Sequence, residues 1–158
     1  MKVAVIYYSR GGTTKRMAEV IADEIKKSGA DADISSVSEI EASQLLEYDG
    51  IIIGSPTYYG TMAAQIKELL DKSVAFHGEL DGIIGAAFSS AANLAGGNET
   101  TILSILQAML IHGMIIQGDF QGDHYGAVAV GKVDKRCEDN CRRGAQRFVK
   151  LLKKVKSH

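Results

Sequence analysis

The chain opens on a continuous apolar run, Val3-Ala4-Val5-Ile6-Tyr7-Tyr8, rich in β-branched and aromatic residues. A strand with one wet face alternates apolar and polar positions. An unbroken run suits a strand covered on both faces, as in a parallel sheet. Beyond Gly11-Gly12 the period changes: Met17, Val20, Ile21 and Ile25 recur at helical spacing until Gly29 stops the helix. A weaker strand is predicted around residues 32–37. Ile51-Ile52-Ile53 is another buried strand, ending at Gly54-Ser55-Pro56. Met62, Ile66, Leu69, Leu70 and Val74 predict the next helix, Gly82 to Phe88 the next strand, and Ile102, Leu106, Met109 and Leu110 a further helix. Met114-Ile115-Ile116 reads as a fifth strand, followed by a polar excursion from Gly118 to Gly126 and a second apolar piece, Ala127 to Val130. A last helix starts near Asp134, with Cys141, Ala145, Phe148, Leu152 and Val155 as its buried stripe.

Strands alternating with helices in this way predict a doubly wound α/β domain: a five-stranded parallel sheet with helices on both faces. No linker, internal repeat or low-complexity segment interrupts residues 1–158, so one domain is expected. Such sheets bind ligands outside the carboxyl ends of their strands, which directs attention to the loops after strands one, three and four.

Composition narrows the function classes. Of 158 residues, 46% are hydrophobic and 23% charged, which excludes disordered, fibrous and membrane-spanning classes. The net charge of -1 combines a basic tail, nine Lys/Arg against three Asp/Glu from Asp134 onward, with an acidic body. No aromatics interleave with the tail, so it reads as a solvated helix face rather than a nucleic-acid surface. Cys137 and Cys141 lie one helical turn apart, too close for a disulfide to constrain much. The apolar run after Met1-Lys2 is too short for a secretory leader, and Thr101 to Gly118 is broken by Gln107, His112 and Gly113. A reducing, cytoplasmic setting without a membrane span is expected.

The first loop, Ser9-Arg10-Gly11-Gly12-Thr13-Thr14, joins a buried strand to a helix. Two glycines let backbone N–H groups turn inward, three hydroxyls can donate, and the helix N-terminus adds partial positive charge, together a phosphate cradle. A plain turn capped by Thr13 or Thr14 would need one hydroxyl and no glycine pair. G-x-G-x-x-G and G-x-x-x-x-G-K-[ST] are both missing, which removes dinucleotide fingerprints and triphosphate hydrolysis. The loop holds no Cys for a thiolate phosphatase, and Tyr8-Ser9 and Gly54-Ser55 stand where a phospho-acceptor domain needs carboxylates for a metal.

The second loop holds the chain's only proline, in Pro56-Thr57-Tyr58-Tyr59-Gly60. Pro56 stiffens it, Gly60 permits a positive φ, and two tyrosines offer ring faces to a planar heteroaromatic ligand. In the third loop, Ser89-Ser90-Ala91-Ala92-Asn93 and Gly96 are small enough for backbone N–H groups to reach a ligand's polar edge. A linker capped by Asn98 accounts for that loop equally well.

With these three loops the chain resembles the flavodoxin-like superfamily over essentially its whole length, and within it the WrbA-type NAD(P)H:quinone oxidoreductases. The latter likeness lies in Gly54 to Met62, Phe88-Ser89-Ser90 and His112-Gly113-Met114. The chain departs from the WrbA pattern in being shorter and in Ala91-Ala92-Asn93-Leu94-Ala95. The resemblance implies strand order 2-1-3-4-5 and bound FMN. Ser9 to Thr14 would hold its phosphate, Thr57, Tyr58 and Tyr59 would lie along the isoalloxazine, and Ser90 to Asn93 with Gly96 would face the pyrimidine edge. His112 would approach the flavin, from this subunit or a neighbour. A helix-terminal imidazole, part cationic in the helix dipole, explains His112 equally well. The implied reaction carries hydride from NAD(P)H as co-substrate to a quinone or similar acceptor in a ping-pong cycle, in a homodimer or homotetramer. His112, His124 or Tyr125 would supply protons or shape the acceptor site. No catalytic side chain and no metal are required. The alternatives are a flavodoxin that carries electrons to a redox-protein partner without turnover of its own, and a non-catalytic FMN-binding module.

Overall fold

The structure, a computed structural model, describes residues 1–157. Five strands lie parallel in the order β2-β1-β3-β4-β5: β1 Lys2–Tyr7, β2 Asp31–Ser36, β3 Gly50–Pro56, β4 Ile84–Ala91 and β5 Ile115–Ile116. The order and the parallel sense are those expected.

The continuous apolar runs now have their reason. Side chains alternate across a strand. Val3 and Val5 of β1 and Ile52 of β3 enter one core, under helices α1 (Thr13–Lys27) and α4 (Lys135–Lys156). Ala4, Ile6, Ile51 and Ile53 enter the other, under α2 (Ala64–Lys72) and α3 (Asn98–Ile111). Both faces are dry, so neither set can be polar.

One feature exceeds the expectation: the fifth strand is split. β5 pairs with β4 at Ile84 and Gly85 only, and a sixth strand, β6 (Val128–Val130), pairs with Ser89 to Ala91 of the same strand, also in parallel. The polar excursion leaves the sheet edge between the two pieces. Arg143 Nε donates to Asp119 Oδ2 at 2.6 Å, and the Arg143 and Arg147 guanidiniums lie over the Phe120 ring at 6.0 and 5.7 Å. The hydrogen bonds from Arg143 hold the Asp119 carboxyl well below the usual carboxylate range.

The basic tail is therefore largely spent inside the molecule. Arg136 pairs with Asp123, Arg142 with Glu24 and Glu138, and Lys156 with Asp49. Asp134 caps α4 by accepting from the Cys137 amide at 2.8 Å. Cys137 joins Cys141, Ala145, Phe148 and Leu152 in the buried stripe, whereas Val155 is exposed in the last turn of the helix. Leu110 and Val74 are likewise exposed, and Ile105 takes the inward place on α3. The thiols of Cys137 and Cys141 lie 4.0 Å apart and buried; the shared contact and the burial push the Cys141 thiol up. No helix of the described residues is long and apolar enough to cross a membrane.

Candidate functional site

Three loops meet at the carboxyl ends of β1, β3 and β4. The first turns at Gly12, whose φ of 92° puts it in the left-handed region that glycine enters freely. Its amide donates to Ser9 Oγ at 3.0 Å, and its carbonyl accepts from the Arg16 amide as the first bond of α1. Neither Thr13 nor Thr14 caps the helix: Gly12 is the cap residue, and no side chain bonds the first turn. Thr13 Oγ1 instead donates to Gly131 O at 3.1 Å, and Thr14 Oγ1 meets Ser90 Oγ at 2.9 Å in a buried bond tying the first loop to the third. A Cβ built on Gly11 or Gly12 would meet nothing within 4 Å. The cradle is thus open toward solvent, with the uncapped amides of α1 behind it, and this fits a phosphate.

The second loop is a tight turn. Tyr58 and Thr61 exchange backbone hydrogen bonds of 3.0 and 3.2 Å, and the two residues between them, Tyr59 and Gly60, have φ of 50° and 78°. Two successive positive φ values make a type I′ turn. For Gly60 that conformation is free; for Tyr59 it is uncommon, and it throws the ring entirely into solvent at 108% relative exposure. Tyr58 is fixed against Tyr8, edge to face, with ring centroids 6.4 Å apart. Two bonds hold the loop to its neighbours: the Thr57 amide donates to Ser90 O at 2.7 Å, and Thr101 Oγ1 donates to Thr57 Oγ1 at 3.0 Å.

In the third loop Ser89 is completely buried, and its hydroxyl donates to Asn98 Oδ1 at 2.6 Å, so that side chain braces the loop from within. Ala92, Asn93 and Gly96 are exposed, the Gly96 amide closes a turn on Asn93 O, and Ala95 takes a φ of 52°. Asn98 is the first residue of α3 rather than its cap, which is Gly97. Nothing in the alternation of apolar and polar residues pointed to Tyr8, Asn98 or Thr101 as struts. Among the residues of the three loops, Arg10 is the single charged side chain and there is no carboxylate.

His112 stands apart from the three loops of its own chain. It is the C-cap of α3, at the opposite end of that helix from the third loop, and it is 7% exposed. Its Nε2 meets Ser73 Oγ at 2.7 Å, its ring stacks on Phe76, and its Nδ1 is buried with no partner among the described residues. Within this chain it cannot reach the loops. Burial and the neighbouring His77 lower its pKa below the ordinary 6.5, against the charged ring that a helix terminus favours. The unfolded chain therefore takes up a proton near pH 6.5 that the folded chain refuses, and stability falls as pH drops below about 6.5 toward the depressed folded value. Urea unfolding from about pH 7 to about pH 5 should show this loss in the parent chain and a flatter profile in His112→Gln. Identical profiles would exclude His112 as the source. His124 and Tyr125 lie in the excursion; His124 Nδ1 bonds Asp119 O at 2.7 Å, and among the described residues no hydrogen bond or ring contact joins either residue to the three loops.

Comparison with known proteins agrees with this geometry. The flavodoxin domain family matches residues 4–102. A protein named "Flavodoxin" from Clostridium saccharobutylicum is 30% identical, covering 98% of this chain and 99% of its own. One named "NAD(P)H dehydrogenase (quinone)" from Gluconacetobacter diazotrophicus is 35% identical over 92% of each chain. A solved structure described as a flavodoxin, WrbA-like protein from Agrobacterium tumefaciens shares the fold, with a TM-score of 0.82, 22% identity and 98% of both chains covered. A parallel sheet in this strand order, an open cradle after its first strand and matches along nearly the full chain have one common explanation: the protein belongs to the flavodoxin family.

Proposed function

We propose that the chain is an FMN-dependent oxidoreductase that takes hydride from NAD(P)H and passes two electrons to a quinone or similar small acceptor. When bound, FMN would supply the redox chemistry, while the protein binds, orients and sets the local charge. The uncapped first turn of α1, the Gly11-Gly12 backbone and the hydroxyl of Ser9 would take the phosphate, with Arg10 adding positive charge. Thr57, Tyr58 and Tyr59 would flank the ring, and the backbone of residues 90–93 and Gly96 would meet its polar edge.

The observation that carries the enzyme reading over the carrier reading is the charge of the rim: one cation and no carboxylate on the three loops. A carrier steered to basic partners needs the opposite field, whereas a neutral quinone and an anionic dinucleotide are not repelled by this one. The relative named "Flavodoxin", matched over 98% of this chain, keeps the carrier as the second reading. The test is an anaerobic titration of the FMN-loaded protein with NADH or NADPH, then benzoquinone. Turnover of at least about 1 s⁻¹ is expected. Bound FMN without turnover would establish the carrier instead.

A further inference from the structure

Cys137 and Cys141 are the only cysteines of the chain, and neither takes part in the proposed reaction. They stand one turn apart on the inward stripe of α4, each 1% exposed, with their sulfurs 4.0 Å apart. Side chains four residues apart on a helix keep their Cβ atoms about 5–6 Å apart, whereas a disulfide needs about 3.5–4.5 Å and a sulfur–sulfur bond of about 2.05 Å. The helix therefore holds the two thiols too far apart for a direct bond. It holds them at the spacing of one bridging atom. A metal–thiolate bond is about 2.3 Å long, so one ion bound to both sulfurs at 4.0 Å subtends about 120°, and a linear arrangement needs them to part by only about 0.6 Å. Small rotations about χ1, within one rotamer well, supply that movement.

The surroundings select the ion. Structural zinc takes four ligands, and among the described residues no group of three or more His, Cys, Asp or Glu is placed to hold a metal. Two thiolates without a third ligand suit a soft ion that is satisfied by two. The charges that act on the pair include the carboxylates of Asp123, Asp134 and Glu138 and one cation, Arg136, itself paired with Asp123. A monovalent ion on two thiolates would leave a buried negative charge among carboxylates; a divalent ion leaves none. The shared sulfur contact holds the Cys137 thiol below its ordinary range, so Cys137 gives up the first proton. A cavity of about 70 Å³ lies between β4, α4 and the excursion. Cys141 lines it together with Asp119, Asp123, Arg147 and the exposed Gly144, so the path from the surface to that thiol is short.

We propose that Cys137 and Cys141 form a two-thiolate site, separate from the three loops, for one soft divalent cation, of which mercuric ion is the simplest representative. The ion displaces both thiol protons. Two S–H bonds break, two S–Hg bonds form, the protons leave to solvent, and no electron is transferred. The bound unit is neutral, as a buried position on α4 requires.

The test is equilibrium dialysis of the full chain against mercuric chloride in a large excess of 2-mercaptoethanol, followed by native mass spectrometry and thermal unfolding. One ion per chain is expected, with a mass two protons short of the simple sum. Tm should rise, because the folded helix presents both thiols ready placed and the unfolded chain does not. Cys137→Ala and Cys141→Ala should each weaken retention about a hundredfold to ten-thousandfold, since a single thiolate cannot chelate. Zinc chloride under the same conditions should not be retained. Two ions per chain, one ion shared between two chains, or retention of zinc would each overturn the proposal. So would a fall in Tm, which would mean that the ion takes its thiols from the unfolded chain, and so would undiminished retention by a folded single-cysteine chain. If neither alanine variant folds, the stoichiometry and Tm of the parent chain decide alone. FMN retention is read separately from visible absorbance, so this result and the cofactor reading stand or fall independently.

Discussion

Gly11→Val is expected to weaken FMN binding by about tenfold to a hundredfold while leaving the stability of the flavin-free fold within about 0.5 kcal/mol of the parent. The value of this variant lies in what it does not disturb. Gly11 is exposed, has no positive φ, and a Cβ there meets no atom within 4 Å, so valine neither strains the backbone nor clashes inside the protein. What it does change is how closely an incoming phosphate can approach the backbone, and each charge-assisted hydrogen bond lost there is worth about 1.5–3 kcal/mol. Gly12→Val is the poorer probe, because a β-branched residue at φ 92° costs about 1–3 kcal/mol of backbone strain whatever the ligand does. Quenching of FMN fluorescence measures the affinity, and thermal unfolding of the flavin-free chains measures the stability. Undiminished affinity in Gly11→Val would move the phosphate site elsewhere.

What could be read in the residues is what depends on local periodicity. Val3 to Tyr8 and Ile51 to Ile53 are apolar without alternation because the sheet is dry on both faces, and that alone leads to helices on both sides and to loops at the strand ends. Ser9 to Thr14 could be read as a cradle because glycine pairs and hydroxyls before a helix act through the adjacent backbone. What escaped reading depends on residues distant in the chain. The split of the fifth strand is set by how β4 pairs at Gly85 and again at Ser89, and the apolar runs at either end of the excursion do not show that both return to one neighbour. His112 precedes Gly113 in a helix-ending pattern that suits a partly cationic ring. The Phe76 and His77 rings that pack against it come from a different helix–strand connection. The excess of glycine divides in the same way. Gly12 and Gly60 serve turns at the site, but Gly50, Gly54 and Gly85 make room for side chains of Phe148, Phe88 and Met109, partners that no local pattern reveals.

Gly54→Ala should accordingly be among the most damaging single-methyl additions in the molecule, costing about 3 kcal/mol and lowering Tm by roughly 6–12 °C. Gly54 lies directly opposite Phe88 in the β3–β4 ladder, and the Phe88 ring lies across it on the face covered by α1 and α4. A Cβ on Gly54 would fall within the ring atoms themselves. Phe88 is 1% exposed and packed among Ile52, Ile84 and Phe148, so it has no vacant rotamer to move into, and the strain passes to the backbone of β3. That strand leads straight into Ser55 and Pro56, where the Ala63 amide donates to Ser55 Oγ at 2.8 Å to hold the far end of the second loop. The same substitution should therefore weaken FMN binding, although it lies beneath the loops rather than in them. A double-mutant cycle separates the two effects. In a Phe88→Leu background, where the flat ring is gone, Gly54→Ala should cost less than about 1 kcal/mol by urea unfolding, and FMN affinity should recover with it. An unchanged cost in that background would mean that Phe88 is not what the glycine accommodates.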